Sequence, residues 1–101
     1  MTRAELVAGL RERFARLRPA FPDVIERMRR LSSERLLESY CRCTGCGGMH
    51  FTPAELVALA AKFDDVDAFM AHTEELALQR VPKRCLDATD RREAEILRSR
   101  N

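Results

Sequence analysis

Apolar residues recur at helical spacing through most of this chain. Leu6, Leu10, Phe14 and Leu17, joined by Val7, form one stripe over a helix predicted for Thr2–Arg18. Thr2 and Glu5 stand at capping-box spacing at its start. Pro19 and Pro22 end that helix and open the next, which carries Val24, Ile25, Met28 and Leu31. Leu36, Leu37 and Tyr40 continue the stripe, and Ser32-Ser33 either cap a fresh helix from Ser33 to Tyr40 or lie inside one long one. Residues 1–40 therefore read as an N-terminal helical hairpin.

Periodicity stops at residues 41–51, where three of the four glycines fall in Cys41-Arg-Cys-Thr-Gly-Cys-Gly-Gly-Met-His50. This is read as an irregular knuckle loop, with room for a short pair of strands beside it. Helix resumes with Thr52 as cap, Pro53 at the first helical position and Glu55 at the box position. Leu56, Val57, Leu59, Ala60 and Phe63 are its apolar residues. Asp64-Asp65-Val66-Asp67 lacks the glycine and terminal glutamate of a calcium loop and reads as a cap-rich turn. The helix after it turns Val66, Phe69, Met70, Thr73, Leu76 and Ala77 inward, which makes residues 52–80 a second hairpin. Pro82 breaks the chain just before Cys85, and residues 85–101 form a tail helix with only Ala94, Ile96 and Leu97 to bury. No segment alternates with period 2 for long enough to make a secure strand. The fold class is mainly α: four or five short helices around one core, interrupted by the knuckle loop.

With 101 residues there is room for one core only, and a chain of this size is marginally stable unaided. No apolar run approaches the roughly 20 residues that span a bilayer. The opening MTRAELVAGLRERF carries acidic residues and no small-residue cleavage site, so it does not read as a signal peptide, and a cytoplasmic location is expected. The net charge of +2 is unevenly laid out. Residues 1–42 carry ten basic and six acidic side chains, residues 43–79 one against six, and residues 80–101 seven against four. That order either builds opposed patches or reflects solvated helix faces with local ion pairs.

The four cysteines change the picture most. In a reducing compartment, Cys41, Cys43 and Cys46 within six residues read as metal ligands before they read as disulfides. Cys43-Thr-Gly-Cys46-Gly lets two thiolates reach one tetrahedral ion, and glycine supplies the backbone freedom of the turn. Cys41, Cys43, Cys46 and Cys85 make the simplest closed set for Zn2+, with His50 as the alternative fourth ligand. An iron–sulfur cluster would use the same four thiolates. Two of the cysteines, Cys41 and Cys85, also suit a buried apolar role, and His72, between Ala71 and Thr73, reads as structural. A thioredoxin-like dithiol does not fit, because the pair does not open a helix after a strand.

Arg42-Cys-Thr-Gly-Cys-Gly-Gly-Met-His-Phe-Thr-Pro-Ala-Glu55 and Val81-Pro-Lys-Arg-Cys-Leu-Asp-Ala-Thr-Asp-Arg-Arg92 resemble the two halves of a bacterial and phage zinc-ribbon family. The resemblance implies Cys43, Cys46 and Cys85 as three ligands. The family's fourth would fall at Ala88, which binds no metal, so Cys41 or His50 would replace it. The spacer between the halves is longer here and holds an additional helix. For zinc ribbons, the resemblance implies nucleic-acid binding.

The reading of function is a non-enzymatic zinc-stabilised regulatory module that contacts nucleic acid or a protein of a nucleic-acid machine. Its contacts would run through Arg29, Arg30, Arg42, Lys83 and Arg84, with no membrane and no small-molecule substrate as partner. The alternative is a protein–protein adaptor or inhibitor in which zinc is purely structural. A zinc hydrolase would need an open coordination position and a general base, and no His-Glu motif supplies them.

Overall fold

The computed structural model describes residues 1–17 and 22–99, and it is mainly helical. Six helices follow one another in the described chain: α1 (Arg3–Leu17), α2 (Pro22–Arg30), α3 (Ser33–Cys41), α4 (Pro53–Ala60), α5 (Val66–Arg80) and α6 (Lys83–Ser99). The expected four or five become six because Ser32 does cap a fresh helix. Its backbone is extended, and its hydroxyl accepts from the Arg35 amide at 3.3 Å. Pro19 and Arg18 lie outside the described residues, as do the side chains of Phe14, Leu17 and Val24 and the end of the tail.

The predicted caps form. Thr2 and Glu5 exchange side chain-to-amide bonds of 3.0 and 3.1 Å at the start of α1. These bonds, from the backbone first, hold the Glu5 carboxyl below its ordinary range. Thr52 caps α4 through the Glu55 amide, and Asp65 caps α5 through the Asp67 amide, so the aspartate cluster is a turn and a cap.

The core is shared by α1, α3, α4, α5. Leu6, Val7 and Leu10 meet Leu36, Leu37, Leu56, Ala60, Val66 and Phe69. Phe69 sits at its centre, fully buried, stacked on Tyr40 at 6.3 Å and met edge-on by Phe63 at 6.1 Å. Phe63 closes the turn after α4 rather than continuing the helix. Thr73 is the one buried polar residue of the described chain, and its hydroxyl donates to the Met70 carbonyl. Its single proton is thereby used, so the Tyr40 hydroxyl is the donor in the 2.8 Å bond that joins α3 to α5.

Arginine ties the periphery together. The Arg11 guanidinium on α1 donates to the carbonyls of Met28 and Leu31 at 3.1 and 2.8 Å, closing the C-terminal end of α2. Arg13 forms a two-pronged pair with Asp67 at 2.7 and 3.1 Å, and Arg80 bonds both Glu55 oxygens while lying 4.9 Å over the Phe51 ring.

Gly9 of α1 packs tightly against Val66 at the start of α5. A Cβ there would lie 2.9 Å from the Val66 side chain. Gly9→Ala is therefore expected to lower stability in urea unfolding. Overpacking costs about 1–3 kcal/mol, and the helix-propensity gain of at most about 1 kcal/mol does not offset it. In the same assay Phe69→Ala is expected to cost about 3–5 kcal/mol, and Leu78→Ala, at a position 68% exposed, less than about 0.5 kcal/mol.

Candidate metal centre

The chain leaves helical geometry at Arg42, whose backbone is extended at φ −74° and ψ 132°. A single antiparallel bridge then pairs Arg42 with Met49, where the sequence left room for a short strand pair, and brings the two ends of the loop together. Inside it the Cys43 amide donates to the Gly48 carbonyl at 2.7 Å and the Gly47 amide to the Cys43 carbonyl at 2.8 Å. Gly47 takes φ +75°, a left-handed conformation that a side chain would disfavour. The Arg42 guanidinium reaches across to the Gly47 carbonyl at 2.8 Å and clamps the turn from outside.

This closed loop presents Cys43, Cys46 and His50 on one side. Helix α6 starts at Lys83, just after Pro82 and two residues earlier than the tail helix was expected to begin, so Cys85 stands in its first turn. Gly45 lies so close to that turn that a Cβ on it would overlap the Cys85 carbonyl oxygen. The result is a group of four ligand atoms, from Cys43, Cys46, His50 and Cys85, all within 4.8 Å of one another. Cys46 is exposed, Cys43 and His50 are half-buried and Cys85 is buried. The Cys46 sulfur lies 3.6 Å from His50 Nε2 and accepts from the Gly48 amide at 3.4 Å.

Cys41 lies outside this group. It ends α3, is 4% exposed and packs into the core beside Leu36 and Leu37. The set of four cysteines needs Cys41 and Cys43 to face the same ion. Helix through Cys41 and extension from Arg42 onward separate them, and His50 takes the fourth place. Ala88, half-buried on α6, contributes nothing to the group. His72 also stands apart, its ring 5.3 Å from that of Phe63.

The sulfurs differ in chemistry. Burial pushes the Cys41 thiol up to about 11, with Glu55 and Glu38 adding to the effect. At Cys43 burial pushes the same way. Bonds from the Cys46 amide, His50, the Cys46 side chain and the Gly45 amide together outweigh it and bring the thiol down to about 7. Cys85 is held up, by burial first and then by the neighbouring Cys46 and Cys43. Amides that stabilise sulfur charge are what a thiolate metal site requires. Three sulfurs and one imidazole nitrogen around one point can hold a metal ion.

The basic residues singled out from the sequence occupy three elements. Arg29 and Arg30 are exposed near the end of α2 and lie 4.0 and 3.0 Å from Glu26. Arg42 clamps the loop, and Lys83 and Arg84 are exposed in the first turn of α6. Arg11 and Arg80, which join helices, carried no sequence signal, because their partners lie 17 to 25 residues away.

Two outcomes are expected from this geometry. In metal-free protein at pH 8, iodoacetamide alkylates Cys43 well before Cys41, as read by peptide mass mapping, because only Cys43 is largely thiolate there. Native mass spectrometry shows metal retained in Cys41→Ala and lost in Cys46→Ala and His50→Ala; equal retention in all three would show that these side chains are not ligands. Comparison with models of known protein families, with curated proteins and with solved structures finds no match to this chain, so its chemistry is read from this Cys3His group alone.

Proposed function

We propose that this chain is a small non-enzymatic module that binds one zinc ion through Cys43, Cys46, His50 and Cys85. The observation that carries the reading is the convergence of those four donors within 4.8 Å. Ligands at zinc distances of about 2.0–2.3 Å in a tetrahedron stand about 3.3–3.8 Å apart, so an inward movement of about 1 Å closes the group. Three thiolates and an imidazole suit zinc, and an iron–sulfur cluster more often takes four sulfurs. Four protein ligands leave no open position for a reacting water, which supports a structural rather than a catalytic ion. The partial resemblance to zinc ribbons supports the same ion.

The proposed partner is nucleic acid or a protein of a nucleic-acid machine, approached through the Arg-rich surface next to the loop. Arg42 directly precedes the ligand Cys43, and Lys83 and Arg84, both exposed, directly precede the ligand Cys85. Both stand in the first turn of a helix with no acidic residue there, where the helix dipole disfavours cations. Negative charge nearby offsets this: zinc with three thiolates and a neutral imidazole carries about −1, and a phosphate would add more.

A second reading, a protein–protein adaptor or inhibitor, is favoured by what the arginines already hold. Arg42 is bonded to Gly47, and Arg29 and Arg30 face Glu26, which leaves Lys83 and Arg84 to meet phosphate.

The readings separate in one titration. Wild-type protein is expected to bind an unrelated duplex oligonucleotide weakly, with affinity falling steeply between two salt concentrations. The paired Lys83→Ala, Arg84→Ala variant should lose about 0.9 of log–log salt slope for each phosphate contact removed. No binding at low salt removes nucleic acid as partner and leaves the adaptor. Native mass spectrometry is expected to show one zinc per chain with no visible-light absorption; colour with iron and sulfide would replace zinc by a cluster.

A further inference from the structure

The bundle and the cluster are separate in one respect. Among the described residues, every buried residue of the hydrophobic core belongs to α1, α3, α4 or α5, and the half-buried residues packed against it add none from α6. Among the described residues, the backbone of α6 makes no extended close approach to any of the other five helices. Only Cys85 is buried in its 17 residues, and Ile96 and Leu97 near its end are 40% and 39% exposed. Helix α6 meets the loop: Gly45 abuts the Cys85 backbone, and the Cys85 sulfur joins the sulfurs of Cys43 and Cys46 and the ring of His50.

Three of the four donors thus belong to the loop that follows α3, and the fourth belongs to α6. An ion held by all four is a cross-link between them. From this arrangement, and resting on the metal reading above, we infer that the metal is a latch: it docks α6 onto a bundle of α1–α5 that keeps its own fold when the ion is gone. The bundle loses no core side chain when α6 departs. Its internal ties are likewise independent of the site: Tyr40 to Thr73, Arg11 to the end of α2, Arg13 to Asp67 and Arg80 to Glu55. Helix α6, by contrast, buries Cys85 alone, and Leu86, Ala88, Thr89 and Glu93 are half-buried. A single undocked helix of this length is marginal in water, and two cations in its first turn weaken it further. Metal loading consequently sets the position of the basic segment Lys83-Arg84 relative to the rest of the molecule.

Amide hydrogen exchange on the full chain tests this directly. Native mass spectrometry first counts the zinc, and exchange is then measured before and after its removal with a strong chelator. Chelation is expected to speed exchange across residues 86–99 at least about tenfold while core amides such as Leu10, Leu56 and Phe69 change by less than about threefold. Restoring zinc restores the protection. Gly45→Ala provides a second route that keeps all four ligands: its Cβ forces the loop away from Cys85, and it is expected to speed exchange in α6 and weaken zinc retention without unfolding the bundle. Zinc present but α6 equally protected after chelation overturns the latch, as does loss of protection in all helices together. Protein that carries no metal and takes up none overturns the metal reading itself, and the latch with it.

Discussion

The backbone leaves helical geometry at Arg42, and that one change divides the cysteines between two environments. On the helical side, Cys41 completes the buried face of α3 and packs with Leu36 and Leu37. On the extended side, Cys43 opens a loop whose ends are held by the Arg42–Met49 bridge and whose turn is held by Gly47 at positive φ. Two residues in sequence thus separate an inert thiol from a thiol that amides and an imidazole bring toward ionisation. Had the helix run one turn further, Cys43 would lie on the helix surface and the loop would lose its first ligand.

The bundle below the loop is small, and it is built to need little from outside. Its helices are short, so each relies on caps and on cross-links that lie far apart in sequence. Phe69 fills the centre, and Tyr40, Phe63, Leu6 and Leu10 surround it. The peripheral arginines do what loops and longer helices would do in a larger protein. Arg11 satisfies carbonyls that α2 leaves open, and the exposed pairs of Arg13 and Arg80 add orientation more than energy.

Above the bundle, charge and chemistry concentrate where α6 begins. Cys85 brings a buried sulfur to the cluster, Lys83 and Arg84 bring two cations, and the loop brings two more sulfurs and an imidazole. The Cys85 thiol is pushed up by burial first and then by the neighbouring Cys46 and Cys43. A divalent ion at the site would offset the charge of the sulfurs and favour their ionised form. On the proposed reading, the site and the position of α6 are two aspects of one electrostatic arrangement.

Helical periodicity and the caps at Thr2, Thr52 and Asp65 were legible along the chain, because they depend on residues three or four apart. So were the inward faces of α4 and α5, and the Cys43-x2-Cys46 turn. The break at Ser32 was open in the sequence, since serine serves equally within a helix or as its cap, and packing of α3 against α4 and α1 decided for the cap. The identity of the fourth donor was open as well. Cys41 and His50 are both within reach of Cys43 by residue count, and only the end of α3 at Arg42 sends one into the core and leaves the other at the cluster. Arg11 and Arg80 carried no local pattern at all, because their partners come from elsewhere in the chain. Local spacing determines which hydrogen bonds a segment makes with itself. Which cysteine is buried and which faces an ion depends on where distant helices meet, and that is decided only when the apolar faces close on one another.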